Sequence, residues 1–117
     1  MKTFGQFARD RREALRREDA EYSLRKVANR VGVQPSYLSR IERGLEPPPS
    51  EKTIIRWSKE LKVDPDVMLA IAGKVSSDLV KTIVKRPELF AQLIRELKDL
   101  PDHAVLRIVR EVRDGDW

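Results

Sequence analysis

Apolar residues recur along this chain with the period of an α-helix, and their pattern predicts about eight helices. The clearest pair lies between residues 24 and 44, where two short apolar stripes are separated by a three-residue gap. The stripes consist of Leu24, Val27, Ala28 and Val31, followed by Leu38 and Ile41. Gly32 can adopt the positive φ that ends a helix, and Pro35 suits the first position of the next helix because it has no N–H to leave unpaired. This segment is therefore predicted to form two short helices joined by a tight turn.

Helix-start signals predict further helices on both sides of this pair. Residue types that typically begin helices stand at four places. They are Thr3 with Gln6 for the first helix, Ser23 for the second, Ser50 for the fourth, and Asp64 with Pro65 for the fifth. The first helix is expected from about residue 4 to residue 17, and Gly73 is expected to end the fifth. The polar stretch from Arg16 to Tyr22 is expected to be a surface loop.

The segment from Leu24 to Gly44 resembles the helix-turn-helix of the lambda-repressor-like, Xre-class proteins. The resemblance rests on small Ala28 where the two helices cross, on turn Gly32, and on the closing Ile41-Glu42-Arg43-Gly44. It extends less sharply over residues 3–73 and implies an all-α fold, with a five-helix DNA-binding domain followed by about three C-terminal helices. The core that it implies consists of Phe7, Leu15, Leu24, Val27, Leu38, Ile41, Ile54 and Leu61.

In that family, side chains in the first turns of the second motif helix contact base edges in the major groove of DNA. The corresponding residues here are Gln34, Ser36, Tyr37 and Arg40, while Pro35 stands where the family often has a polar side chain. Proline cannot donate to a base, so the others are expected to carry more of the discrimination. Arg40 has the forked guanidinium that suits O6 and N7 of guanine. Tyr37 is expected to contact a thymine methyl group or a phosphate, or alternatively to join the core.

Groups flanking the second motif helix are expected to bind phosphates, and one glutamate nearby is expected to pair with an arginine. The phosphate contacts, which hold register without reading sequence, are expected from Ser23, Arg25, Arg43 and Lys52. Glu42 is acidic beside the predicted DNA surface, and the family pattern often pairs it with an arginine of the first helix. That arginine is expected to be Arg12, with Arg11 as the alternative.

Three more amphipathic stripes follow in residues 74–117. They consist of Leu79, Val80, Ile83 and Val84, then Leu89, Phe90, Leu93, Ile94 and Leu97, then Val105, Ile108, Val109 and Val112. Five helices suffice for the DNA-binding fold, so residues 1–73 are predicted to be that domain and residues 74–117 a dimerisation or partner-binding region. The dimer contact is expected from Leu89, Phe90, Leu93, Ile94, Leu97, Ile108, Val109 and Val112. The alternative is an extension that completes the core of the monomer.

The net charge of +5 is unevenly distributed along the chain. Residues 1–62 hold 15 Lys and Arg against 9 Asp and Glu, whereas residues 63–117 hold 9 against 10. A basic surface gains affinity for polyanions by releasing their counterions. The asymmetry thus indicates nucleic acid as the ligand of the N-terminal half.

The chain offers few residues for catalysis, cofactor binding or metal coordination. It has no cysteine, its one histidine is His103 at a predicted helix start, and no glycine-rich loop is present to hold phosphates. We therefore expect no enzyme activity, no cofactor and no metal. The N-terminal residues lack the apolar segment of an export signal, and no apolar run is long enough for a membrane span, so a cytoplasmic protein is expected.

The function predicted from these residues is a sequence-specific transcriptional regulator, a repressor that binds double-stranded DNA as a homodimer on a two-fold-symmetric operator. The alternative is an antitoxin whose C-terminal helices bind a toxin. The C-terminal helices also loosely resemble those of small regulators found beside metallopeptidases that inactivate repressors by cleavage. An RNA-binding adaptor is disfavoured, because such readers offer aromatic stacking platforms and only 7 residues here are aromatic.

Overall fold

The computed structural model describes residues 2–117, and within that range every regular element is a helix. The helices are α1 (Phe4–Arg16), α2 (Leu24–Val31), α3 (Pro35–Glu42), α4 (Glu51–Glu60), α5 (Pro65–Ile71), α6 (Ser77–Lys85), α7 (Pro87–Leu97) and α8 (Asp102–Asp114). A short 3-10 helix, Ala20–Tyr22, lies between α1 and α2. The predicted all-α fold, with five helices followed by three, is confirmed.

The predicted helix starts are also present. Thr3 and Gln6 form a reciprocal capping box, in which Thr3 Oγ1 accepts from the Gln6 N–H and Gln6 Oε1 accepts from the Thr3 N–H. Side chains at the N-caps of α2, α4 and α5 accept backbone N–H groups in the same way: Ser23, Ser50 and Asp64. These bonds satisfy donors that the first turn of a helix leaves unpaired, which is why local sequence alone locates the starts.

The chain divides between Ser76 and Ser77 into two compact units. In the N-terminal unit (residues 2–76), α1 to α5 enclose a core in which Trp57 is fully buried and meets Phe4 edge to face at a ring-centroid distance of 5.6 Å. The core consists of Phe4, Ala8, Val27, Ala28, Val31, Leu38, Ile41, Ile54, Trp57, Leu61, Met68 and Leu69. Phe7, Leu15 and Leu24, which were predicted as core, pack at its edge and stay partly exposed.

A glycine brings α1 close to the end of α3. A Cβ atom at Gly5 would collide with the backbone carbonyl groups of Ile41 and Glu42. Only the missing side chain permits this approach, which sets the start of α1 directly against the last residues of α3.

The prediction of a plain surface loop from Arg16 to Tyr22 was wrong at its end. Asp19 caps the 3-10 helix by accepting the Glu21 N–H, and Tyr22 packs against the core. The guanidinium of Arg30 lies over the Tyr22 ring at 5.4 Å from its centroid, a cation–π distance. The segment between α1 and α2 is thereby in contact with α2.

The C-terminal unit (residues 77–117) consists of α6, α7 and α8. Each helix contains one of the three predicted apolar stripes, but no residue from 77 to 117 is buried. Many of its large apolar side chains are exposed, among them Leu79, Val84, Leu89, Ile94, Leu106 and Val112. No helix within residues 2–117 is long and apolar enough to cross a membrane.

Candidate nucleic-acid interface

The turn between α2 and α3 is built from one glycine and two backbone hydrogen bonds. Gly32 has a φ of 88°, and the N–H groups of Gly32 and Val33 both donate to the Ala28 carbonyl, at 2.9 and 3.0 Å. This closes α2 and redirects the chain, so that α3 begins three residues later with Pro35. Ala28 and Leu38 are fully buried between the two helices. A residue larger than alanine at position 28 would push the helices apart.

The inner side of α3 is buried and its outer side is polar. Leu38, Ile41 and Glu42 face inward and are nearly inaccessible to solvent. The residues predicted to read bases lie elsewhere on the helix: Gln34 and Ser36 are exposed, and Tyr37 and Arg40 are half-buried. Tyr37 packs partly against the core, so its ring is shared between the core and the surface.

Glu42 is held by a bidentate ion pair with Arg12. Arg12 Nε donates to Glu42 Oε2 at 2.8 Å and Arg12 Nη2 donates to Glu42 Oε1 at 2.9 Å, and both side chains are less than 5% exposed. Two further donors are also used, since Nη1 donates to the Tyr22 carbonyl at 3.2 Å and Nη2 donates to Glu13 Oε1 at 3.2 Å. Hydrogen bonding to Glu42 raises the pKa of Arg12 above its ordinary value, although burial acts in the opposite direction.

Arg11, the alternative partner, is engaged elsewhere. Its Nε donates to the Leu61 carbonyl at 2.9 Å, at the end of α4. The Arg12 pair therefore ties α1 to the last residue of α3 and to the end of the 3-10 helix, while Arg11 ties α1 to α4. Helix α3 is thereby anchored from its buried side, and its outer side stays accessible.

The four residues predicted to bind phosphates lie near helix ends. Arg25 and Lys52 are exposed in the first turns of α2 and α4, and Arg43 is exposed directly after α3. Arg43 Nε donates to the Ser39 carbonyl at 3.4 Å. Ser23 Oγ accepts the Lys26 N–H as the cap of α2, which leaves the hydroxyl proton available to a phosphate oxygen.

Sequence reasoning missed one charged residue at this surface. Glu46 lies in the segment after α3, and its Oε1 is 3.5 Å from Nε of Arg40. The signal that would have found it is Gly44, whose φ of 76° turns the chain back after α3.

The charges and the apolar surface separate between the two units. Residues 2–76 hold 16 Lys and Arg against 11 Asp and Glu, whereas residues 77–117 hold 8 of each.

Of the residues predicted to form the dimer contact, Leu89, Leu93, Ile94, Val109 and Val112 are exposed and Phe90, Leu97 and Ile108 are half-buried. Arg86, Leu89, Phe90 and Leu93 line a shallow cavity of about 120 Å³ at α7. No three His, Asp or Glu side chains among the described residues are grouped as a metal site would need.

Comparison with known proteins finds similarity within the N-terminal unit. Residues 14–68 match the family model described as "Helix-turn-helix". Two proteins of Mycobacterium tuberculosis, from strains CDC 1551 / Oshkosh and H37Rv, are 42% identical over 57 residues, and each is named an uncharacterized HTH-type transcriptional regulator. The match covers 49% of this chain and only 40% of each relative. No solved structure matches significantly. Residues 14–68 of this chain are therefore similar to a helix-turn-helix domain.

Proposed function

We propose that this protein is a sequence-specific transcriptional repressor that binds a two-fold-symmetric DNA operator as a homodimer. The observation that carries the proposal is the construction of α3. Its inner side is fixed by the core and by the Arg12–Glu42 ion pair, while Gln34, Ser36 and Arg40 remain accessible. A helix used only for packing has no need of a rigidly held, polar outer side.

In the proposed complex α3 lies in the major groove and its outer side chains read base edges. Arg40 donates both hydrogen bonds to a guanine, a contact that discriminates against a wrong base by about 1–3 kcal/mol. Gln34 has an amide that suits adenine N6 and N7, and Ser36 can donate to or accept from any base. Pro35 has no side-chain group that could form a hydrogen bond with a base.

Phosphate binding is assigned to the residues around helix starts and to the positive charge of the N-terminal unit. Ser23, Arg25 and Lys52 lie where the first turns of α2 and α4 add the positive end of the helix dipole. Arg43 follows α3 with an exposed side chain. These groups hold the protein in register and release counterions, so they strengthen binding to any duplex.

The occupant that we propose for the apolar surface of the C-terminal unit is a second copy of the same chain. Residues 77–117 bury no side chain, and an amphipathic three-helix unit needs a partner surface to gain hydrophobic stabilisation. Equal numbers of acidic and basic residues allow two copies to associate without net repulsion. A two-fold dimer doubles the base and phosphate contacts, and occupancy of the operator is sufficient for repression.

The decisive experiment is selection of bound fragments from random double-stranded DNA by the purified full-length protein. We expect enrichment of a palindrome whose half-sites are about one helical turn apart, and protection of both half-sites. Enrichment of a single, unrepeated half-site would contradict the homodimer. No enrichment of any sequence would contradict sequence-specific binding altogether.

An antitoxin is the second candidate, favoured by the same exposed apolar side chains on α7 and α8. In that case the occupant is a foreign protein, and a small second protein copurifies stoichiometrically from the native host. If the purified protein is monomeric alone and forms such a complex, the homodimer proposal is wrong and the antitoxin function takes its place. Copurification and accelerated cleavage by a metallopeptidase would instead indicate a repressor controlled by proteolysis.

A further inference from the structure

The position of Glu46 follows from the way α3 ends. The Gly44 N–H donates to the Ile41 carbonyl at 3.0 Å, and the Leu45 N–H donates to the Arg40 carbonyl at 2.8 Å. With Gly44 at a φ of 76°, these two bonds form a Schellman motif, which reverses the chain over the last turn of the helix. The residue that follows the motif is thereby carried back beside Arg40.

The contact between the two side chains is an ion pair made through one edge of the guanidinium. Arg40 Nε lies 3.5 Å from Glu46 Oε1, and the two side chains are 41% and 39% exposed. The forked end of the guanidinium, which carries Nη1 and Nη2, has four further N–H donors. A bidentate contact with O6 and N7 of guanine needs two of them. The pair can therefore hold Arg40 in one orientation without using the donors that a base would accept.

We propose that Glu46 is a positioning residue that determines specificity, by orienting Arg40 toward its base and by lowering affinity for other DNA. The proposal rests on the proposed function, in which Arg40 reads a base. It concerns a residue outside α3 that makes no assigned contact with DNA.

Two physical effects act in the same direction. Restricting Arg40 to one orientation reduces the rotamer entropy that the long side chain loses when it binds guanine, so the operator is favoured. The carboxylate also neutralises part of the positive charge of Arg40, so Arg40 itself contributes less to sequence-independent binding. Only the correct base accepts hydrogen bonds from Arg40 that are strong enough to compensate for the nearby negative charge.

The test compares Glu46→Gln with Glu18→Gln in the full-length protein. Both variants remove one negative charge from a solvent-accessible glutamate of the N-terminal unit and keep its size. Glu18, however, forms no ion pair among the described residues. Fluorescence anisotropy measures the dissociation constants for the selected operator, for operators with the guanine replaced by each other base, and for a random duplex. Thermal unfolding of each variant checks that stability is unchanged.

We expect Glu46→Gln to lower the ratio of operator to random-duplex affinity about fivefold, a fraction of what a bidentate base contact is worth. The loss of discrimination should be confined to the guanine position. Glu18→Gln should strengthen both affinities alike and leave the ratio unchanged. In an Arg40→Ala background, Glu46→Gln should no longer alter the ratio, because the side chain that it positions is absent.

An unchanged ratio in Glu46→Gln, or the same change in Glu18→Gln, would overturn the proposal. A ratio that still falls in the Arg40→Ala background would also overturn it, because Glu46 would then act through another group. Failure of the proposed function itself is separately visible: the unmodified protein would then select no operator, before any variant is compared.

Discussion

The two units of this protein have the same kind of sequence pattern and opposite burial. In the N-terminal unit the apolar stripes of five helices meet in one core, and Leu38, Ile54 and Trp57 have no exposed surface. In the C-terminal unit the stripes of α6, α7 and α8 are as regular, yet Leu89 is 63% and Val112 60% exposed. Amphipathic periodicity thus predicts that a helix forms and which side is apolar. It does not state whether that side is covered by the same chain.

The largest effect is expected where the N-terminal unit buries charge. Glu42→Ala leaves the Arg12 charge buried without its partner, and the free energy of unfolding should fall by about 3–5 kcal/mol in urea denaturation. Asp10→Ala is the matched control, because it breaks the Lys2–Asp10 pair, which has the same 2.8 Å distance but more than half of each side chain exposed. It should change stability little.

A double-mutant cycle sharpens this prediction. Each single substitution leaves the charge of the other partner buried and uncompensated, whereas the double substitution removes both charges. Arg12→Ala and Glu42→Ala together should therefore cost less than the sum of the two alone. Additive losses would show that the pair is not energetically coupled.

The next effect compares one leucine from each unit. Leu38→Ala removes fully buried methyl groups and should lower the unfolding free energy by about 2–5 kcal/mol. Leu93→Ala on exposed α7 should cost about 0.5 kcal/mol or less in dilute protein, while weakening self-association measured by sedimentation. Equal costs for the two would mean that α7 is part of the core of a monomer.

Removal of the C-terminal unit separates the roles of the two regions. A fragment of residues 1–76 should stay folded, because it retains the whole described core, but should sediment as a monomer. Its affinity for the operator should fall about 100-fold, because the second half-site is no longer bound in the same event. Full-length protein that is monomeric at tens of micromolar, or a fragment that still dimerises, would contradict this assignment.

The smallest effect distinguishes two arginines on the same helix end. Arg40→Ala should weaken operator binding by about 1–3 kcal/mol and leave random-duplex binding nearly unchanged, because it loses a base contact. Arg43→Ala should weaken binding to both duplexes and reduce the salt dependence, because it loses a phosphate contact. Equal losses on both duplexes for Arg40→Ala would contradict its base-reading role.

Local sequence determined the helices, because the forces that start and stop a helix act within a few residues. Three of these signals can be recognised in the sequence without tertiary contacts. They are the capping box of Thr3 and Gln6, the left-handed conformation of Gly32 and the helix start at Pro35. The resemblance to helix-turn-helix proteins rests on the same short segment. The pairing of Arg12 with Glu42 needed that family pattern as well, since nothing in a separation of 30 residues indicates contact.

Tertiary structure decided what depends on residues distant in the chain. Gly5 permits the close approach of α1 to α3, Tyr22 packs against the core, and Arg11 donates to a carbonyl at the end of α4. The Glu46 contact required the actual path of the chain after α3, because a one-residue shift in that reversal would point the carboxylate elsewhere. The exposure of the C-terminal apolar stripes was also decided by tertiary structure. Sequence determines which side of each helix is apolar, but that side is buried only where another surface packs against it.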